Sequence, residues 1–365
     1  MKNSKTLSES KHDSYRIAVI GATGYGGLQT IKLLKDHPNF FITYLGGNNT
    51  SGKKWNKLNP FLELRDDPII QKPNIDSIAD SSDFAILSLP NGIASRIVPG
   101  LLKKGVRILD LSADYRYRSL DLWKQIYFNE NKQVERQDYD LCNEAIYGLS
   151  EWYKEKIAKA SLVACPGCFP TSTLLGLLPF LSQGLVETVG IIVDAKTGTS
   201  GGGRSPKENL LLSEASESIS PYGVIGHRHT SEMEQEAKHF SGKEIELQFT
   251  PHLVPMVRGL LTTVYARLRD PGLTAEDCQT VLDTIYRDND FIKVLPVGIY
   301  PKTKWSRQTN KVFISVQVDK RNGQLVIMTC IDNLMKGQAG QAIQNLNIMT
   351  SNSDAKGLPI SSFYP

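Results

Sequence analysis

The run Tyr15-Arg16-Ile17-Ala18-Val19-Ile20 leads without a break into Gly21-Ala22-Thr23-Gly24-Tyr25-Gly26-Gly27 and then into a segment carrying Leu28, Ile31, Leu33 and Leu34. A short apolar strand, a glycine turn and a helix in that order commit the start of the chain to a doubly wound α/β sheet. Gly21, Gly24 and Gly27 follow a Gly-x-x-Gly-x-x-Gly spacing, a variant of the dinucleotide fingerprint. Glycines there permit the turn and let the backbone approach a pyrophosphate at the helix N-terminus. Gly21, Thr23, Gly24, Tyr25, Gly26 and Gly27 are therefore candidate cofactor contacts. A purely structural glycine turn is the alternative reading of the same residues.

The next strand, Phe40 to Leu45, ends in Gly46-Gly47-Asn48-Asn49-Thr50-Ser51-Gly52-Lys53-Lys54. An enzyme using NAD places an acid here for the ribose hydroxyls, whereas this loop offers hydroxyl and basic groups that tolerate a 2′-phosphate. Ser51 and Lys53 thus point to NADP, although a solvated loop has the same composition. Phe84 to Leu89 reads as a buried parallel strand, and its exit loop Pro90-Asn91-Gly92 is expected to border the cofactor, with Pro90 as a contact. Val106 to Leu111 repeats the pattern and exits into Ser112-Ala113-Asp114-Tyr115-Arg116, at the carboxyl edge where such sheets bind ligands. Arg116 is a candidate for an anionic substrate or a partner of Asp114. The stretch from Tyr117 to Ser150 has no clear period and reads as loops and short helices.

Val163-Ala164-Cys165-Pro166-Gly167-Cys168-Phe169-Pro170-Thr171 reads as a strand end turning into an apolar helix, with Pro170 suited to its first position. Cys168 then lies at a helix N-terminus, where free N–H groups and the helix dipole favour a nucleophilic thiolate. Three other readings stay open: half of a zinc site completed by His227 and His229, a Cys-x-x-Cys dithiol with Cys165, or an inert buried cysteine. The remaining cysteines, Cys142, Cys278 and Cys330, form no second pair.

Beyond Ser182 the pattern changes. Val189 to Val193, Ile245 to Phe249, Leu260 to Leu268, Val312 to Val318 and Leu325 to Ile331 read as strands with too few helices between them for repeated βαβ units. The last two are joined by Lys320-Arg321-Asn322-Gly323, a hairpin signal. A second, α+β domain with a mixed, largely antiparallel sheet follows, and Gly337 to Ile348 reads as a terminal helix. Lys196 to Arg204 is a glycine-rich loop whose N–H groups, hydroxyls and cations suit a carboxylate, a phosphate or an oxyanion. An ordinary flexible connection is the competing reading. His227-Arg228-His229 precedes a helix expected to begin near Thr230, and one of the two histidines is a candidate general base.

A length of 365 residues accommodates two domains, and a net charge of +4 without a basic run leaves no electrostatic footprint for nucleic acid. No apolar stretch reaches the ~20 residues that span a bilayer, and Met1 to Ser14 lacks the apolar segment of a signal peptide, so a disordered tail and a cytoplasmic location are expected. The five cysteines are then expected to be reduced. We divide the chain into a tail at 1–14, a dinucleotide-binding domain at 15–167 completed by a C-terminal helix within 333–365, and a catalytic and oligomerisation domain at 168–332.

Taken together, these residues resemble the N-acetyl-gamma-glutamyl-phosphate reductase family of arginine biosynthesis, relatives of aspartate-semialdehyde dehydrogenase. The stretch Val163 to Thr171 with Gly176 and Pro179 is similar to the family's active-site signature, in which Cys165 falls at a variable position. Asp110 to Arg116, Gly198 to Gly201 with Arg204, His227 to His229 and Asp332-Asn333-Leu334-Met335-Lys336-Gly337 match as well, and Tyr147-Gly148-Leu149-Ser150-Glu151 matches with Ser150 in place of proline. The resemblance implies NADPH as cofactor, an acyl phosphate as substrate, Cys168 as sole nucleophile and His227 as acid/base partner. By the same route Ser200, Gly201, Arg204 and His229 lie near the substrate, Arg116 and Arg258 are anion contacts, and Asn333 touches the nicotinamide side. It also implies no metal and a homo-oligomer, dimer or tetramer, built through the second sheet. Aspartate-semialdehyde dehydrogenase chemistry and a non-enzymatic NADP-binding regulator are the rival functions.

Overall fold

The computed structural model describes residues 14–127, 136 and 138–362. The tail expected at 1–14 therefore lies outside the described residues except for Ser14. Strands β1 (Tyr15–Ile20), β2 (Phe40–Gly46), β3 (Phe84–Leu87), β4 (Arg107–Asp110), β5 (Ile146–Tyr147) and β6 (Leu162–Ala164) form one parallel sheet in the order β2-β1-β3-β4-β6-β5. Along β1, Ile17 and Val19 enter one apolar cluster while Ala18 and Ile20 enter another on the opposite face. Burial on both faces is why this strand reads as a continuous apolar run. Gly21 ends it at φ 85°, and a Cβ there would lie 2.1 Å from the Ser88 carbonyl oxygen, so the turn tolerates only glycine.

Strands β7 (Ile191–Thr197), β8 (Ser220–Pro221), β9 (Leu247–Leu253), β10 (Leu260–Arg267), β11 (Ile292–Val294), β12 (Val312–Asp319) and β13 (Gln324–Ile331) form the second sheet in the order β11-β12-β13-β10-β7-β9-β8. Only β7 with β9 and β11 with β12 run parallel, so the expected mixed, largely antiparallel sheet is present. Residues of β7, β9 and β10 alternate between buried and partly exposed, which leaves one face toward the core and one toward solvent. The Asn322-Gly323 turn joins β12 to β13 with Gly323 at φ 68°.

Helix Cys168–Ser182 packs on β10 and β13, and every residue from Phe169 to Leu181 is buried. Gly176 is required at that contact, since a Cβ there would meet the Thr329 hydroxyl at 2.6 Å. The helix begins at Cys168, two residues before the start expected at Pro170, because Gly167 already takes the extended N-cap conformation. Helix Arg228–Ser241 likewise starts earlier than Thr230, with His227 as its cap. The unassigned stretch after Tyr117 contains helices Leu120–Tyr127 and Tyr139–Glu144 and the edge strand β5. At the C-terminus, Met335–Ala339 winds as a π-helix, a form common at functional sites. Helix Gly340–Met349 follows it and lies against helices Tyr25–Lys35 and Ser150–Lys159.

Candidate active site

Cys168 is the first residue of its helix and half-buried, directly after the turn that leaves β6. The turn is tied to the sheet by the Cys165 N–H, which donates to the Asp110 carbonyl at 2.8 Å. Placement at the helix N-terminus matches the sequence expectation, but its electrostatic consequence does not. Burial pushes the Cys168 thiol up to about 11, against the smaller opposite pulls of the Phe169 N–H, Arg116 and Arg228. Near pH 7 burial therefore favours the thiol over the thiolate. We expect alkylation of Cys168 by iodoacetamide to keep accelerating above the ordinary cysteine range near pH 8.5, because only the thiolate reacts. Peptide mass spectrometry across a pH series measures this, and a rate that levels off below about pH 9 contradicts the burial argument.

Arg116 pairs with Glu232 and not with Asp114. Its Nε donates to the Cys165 carbonyl at 2.8 Å, its Nη2 to the Leu111 carbonyl at 3.1 Å and its Nη1 to Glu232 at 3.3 Å. Glu232 is fully buried; its other oxygen accepts from the Tyr147 hydroxyl at 2.8 Å and from the Gly167 N–H at 2.9 Å. One carboxylate thus joins helix Arg228–Ser241, the arginine loop and the peptide just before Cys168. On the same helix Glu236 bonds Arg118 at 2.8 Å and also accepts from the Tyr153 hydroxyl. The sequence contained a signal for both acids: His229, Glu232, Met233, Glu236 and Ala237 share the buried helical face. Polar residues at core-facing positions mark a hydrogen-bonded network rather than solvated charges.

His227 and His229 sit together, ring centroids 5.0 Å apart. The Phe169 ring, next in sequence to Cys168, lies 6.0 Å from His227 and 5.9 Å from His229. A Cβ on Gly167 would lie 2.5 Å from Nε2 of His229, so that ring rests directly on the cysteine turn. Burial and Arg228 bring His227 down to about 4, and burial with His227 and Arg228 holds His229 well below the ordinary range. Both imidazoles are neutral at pH 7.

The motif around Asn333 closes the other side. A Cβ on Gly337 would lie 2.7 Å from the Cys168 Cβ, so only glycine lets the π-helix reach Cys168. Asn333 donates to the Ser200 hydroxyl at 2.9 Å and accepts from the Gly259 N–H at 2.8 Å, which brings two expected site residues into contact. Gly201 follows, exposed. Arg204 reaches across to the Thr23 carbonyl at 2.9 Å and links its own loop to the glycine turn. Arg258, expected to contact an anion, instead holds Asp332 through two nitrogens, each at 2.9 Å, and Gln29 at 3.0 Å. Lys336 and Glu151 form a buried ion pair at 2.6 Å that sequence reasoning left without roles.

The glycine turn fits a dinucleotide. Helix Tyr25–Lys35 has Gly24 as its N-cap, no side-chain cap and no acid in its first turn, so its first N–H groups are open to a pyrophosphate. Ser51 and Lys53 are exposed on the turn after β2, and Pro90 is exposed beyond β3. Asp114 anchors that second loop by accepting from the Gly92 N–H at 2.6 Å and the Ser95 N–H at 3.0 Å. Cys165 is 1% exposed and precedes the helix, whereas Cys168 is half-buried and opens it. Among the described residues no group of three or more His, Cys, Asp or Glu gathers to hold a metal ion.

Family models match both halves of the chain: "Semialdehyde dehydrogenase, NAD binding domain" over residues 16–160 and "Semialdehyde dehydrogenase, dimerisation domain" over residues 168–333. The fold is that of aspartate semialdehyde dehydrogenase II from Vibrio cholerae, solved with ASA, with a TM-score of 0.70 at 18% identity over 93% of this chain and 99% of that one. The enzyme from Candida albicans solved with NADP gives a TM-score of 0.63 at 17% identity, over 92% and 98%. Fold and matches together define an NADP-linked oxidoreductase of the semialdehyde dehydrogenase class. Within that class, an N-acetyl-gamma-glutamyl-phosphate reductase of Prochlorococcus marinus (strain NATL1A) is 63% identical over 98% of this chain and its own full length. One of Parasynechococcus marenigrum (strain WH8102) is 61% identical over 96% of this chain and 98% of its own. The chain belongs to the N-acetyl-gamma-glutamyl-phosphate reductase family.

Proposed function

We propose that this chain reduces N-acetyl-L-glutamyl 5-phosphate to N-acetyl-L-glutamate 5-semialdehyde with release of phosphate, through a thioester on Cys168, in arginine biosynthesis. The observation that carries this reading is Cys168 at the first turn of a buried helix, with the neutral His227 and His229 against the residues on either side of it. The cofactor is NADP; when bound as NADPH it supplies the hydride. Gly21, Thr23, Gly24, Tyr25, Gly26 and Gly27 cradle its pyrophosphate, Ser51 and Lys53 attend the 2′-phosphate, and Pro90 and Asn333 border the rest. Cys168 is the nucleophile, and His227 is its acid/base partner. Ser200, Gly201, Arg204 and His229 line the substrate side. Arg116 and Arg258 support the site from behind through Glu232 and Asp332.

The dinucleotide-binding part spans 15–167 and is completed by the C-terminal helix, and the catalytic and oligomerisation part spans 168–332. The half-exposed face of the second sheet, with Ile192 at 46% exposure, is the surface on which a second copy docks to form a dimer or tetramer. The substrate is a small molecule. Among the described residues no helix is long and apolar enough to cross a membrane, and we place the enzyme in the cytoplasm.

Purified protein is expected to oxidise NADPH with N-acetylglutamyl phosphate, and to run in reverse with the semialdehyde, phosphate and NADP. Aspartyl phosphate serves as the competing substrate, and preference for it would move the assignment to aspartate-semialdehyde dehydrogenase. Absence of turnover with either would leave the regulator reading in possession.

A further inference from the structure

A π-helix is a rare form, and Met335–Ala339 keeps it through two N–H groups that pass over their usual partners. Gly337 and Ala339 donate to the carbonyls of Asp332 and Leu334, each at 3.0 Å and each five residues back instead of four. In an ordinary α-helix the Gly337 N–H would return to Asn333, and everything beyond it would turn by roughly 100° relative to Asp332. The upstream side is fixed and cannot follow such a turn. The Asp332 carboxylate accepts the N–H groups of Gln308 at 2.7 Å, Leu334 at 2.8 Å and Met335 at 3.0 Å, and it pairs with Arg258. Asn333 is tied to Ser200 and to the Gly259 N–H. The wide turn therefore depends on what grips its downstream side.

Among the four buried residues of the π-helix, Met335, Gly337 and Ala339 carry no charge and Lys336 does. The fully buried Lys336 ammonium donates to Glu151 at 2.6 Å and to Oε1 of Gln344 at 2.7 Å. Gln344 donates in turn to the same Glu151 oxygen at 3.1 Å, and its Oε1 also accepts from Asn310 at 3.1 Å. Glu151 belongs to helix Ser150–Lys159, so the pair fastens the π-helix to an element far away in sequence. Burial pushes the Lys336 ammonium down, and Glu151 opposes that push. A buried ion pair is often no more stabilising than apolar side chains of the same volume. What it adds is registry, because a desolvated charge accepts one place opposite its counterion and methylenes do not.

We propose that Lys336 and Glu151 form a register lock: the pair holds Met335–Ala339 in the π form, which keeps Gly337 against Cys168 while Asn333 stays against Ser200. Both act through Gly337 and are positioning residues. A Cβ at Gly337 would lie 2.7 Å from the Cys168 Cβ and 3.3 Å from its Cα, so a shift of this one residue is felt at the cysteine directly. Unlocked, the turn relaxes toward the α form and carries Gly337 away, and the sulfur loses its fixed place relative to Asn333. The consequence for turnover rests on Cys168 being the nucleophile of the acyl-phosphate reading above; the lock itself does not.

The double variant Lys336→Met/Glu151→Gln removes both charges at nearly constant volume and strands neither, so it separates register from stability. We expect its Tm to stay within roughly 4 °C of the unaltered protein. With N-acetylglutamyl phosphate and NADPH, kcat falls by roughly 10–10², the scale of a small misplacement of a reacting group, while KM for the acyl phosphate changes by less than about 3-fold. A purely structural pair gives the reverse, a lower Tm with kcat per folded enzyme unchanged, and that result overturns the proposal. Independently of any substrate, a crystal structure of the double variant shows which carbonyl receives the Gly337 N–H. Asn333 in that place supports the lock, and bonds retained to Asp332 and Leu334 sink it. Should the unaltered enzyme fail to turn over N-acetylglutamyl phosphate, the acyl-phosphate reading falls, and the bonding pattern of the variant still decides the lock.

Discussion

Replacing Cys168 by serine stops NADPH-dependent turnover, with kcat falling on the order of 10⁴-fold or more, while Cys165→Ser leaves most of it. The two sulfurs differ in surroundings rather than in spacing. Cys168 opens a helix, is half-buried and is flanked by the neutral imidazoles, so its sulfur can meet a substrate. Cys165 is 1% exposed with the Asn345 amide 3.8 Å from its sulfur, and a serine there is close in size and keeps a hydrogen-bonding atom. A serine at 168 lacks the polarisable sulfur, and its hydroxyl is a far weaker acid than the thiol it replaces. Steady-state rates, with mass spectrometry for the acyl adduct after mixing with substrate in the absence of NADPH, provide the measurement. Equal loss in the two variants would revive the dithiol reading.

The second large effect is structural and lies one layer behind the nucleophile. Glu232→Gln removes the only charge that pairs with Arg116 among its described contacts, and leaves the guanidinium in a site where it is 8% exposed. Breaking one side of a buried pair costs about 3–5 kcal/mol, since the remaining charge stays desolvated. At roughly 2–4 °C per kcal/mol this lowers Tm by roughly 6–20 °C, readable by calorimetry. Activity falls too, because the same carboxylate receives the Gly167 N–H immediately before Cys168. The double variant Glu232→Gln/Arg116→Met recovers part of the lost stability by removing the stranded charge, but not the lost activity, because the cysteine turn stays unanchored. A Glu232→Gln protein with unchanged Tm and kcat would show that the network is dispensable.

The parts of this architecture that were legible in the chain are those governed by neighbours in sequence. The apolar run into Gly21, the turn at Pro166-Gly167 before Cys168, the Asn322-Gly323 hairpin and the absence of an acid after β2 each rest on a few adjacent residues. Turn chemistry and burial pattern act over that range, so they predicted the two sheets and the place of Cys168 at a helix start. The exact first residues of helices Cys168–Ser182 and Arg228–Ser241 were misjudged because the caps depend on the conformation of Gly167 and His227, which composition does not specify.

What only the tertiary structure decided is the use made of the charged residues. Arg116 and Arg258 carry the same cation that an anion site requires, and nothing local distinguishes a ligand contact from a buried partner. Arg116 meets Glu232 across 116 positions and Lys336 meets Glu151 across 185. Such pairs exist because a desolvated charge must find its counterion wherever the fold brings one, and that demand leaves no periodic trace. The thiol at Cys168 follows the same rule. Its helix position was readable from the chain and favours a thiolate, but the burial that the assembled fold imposes pushes the thiol the other way.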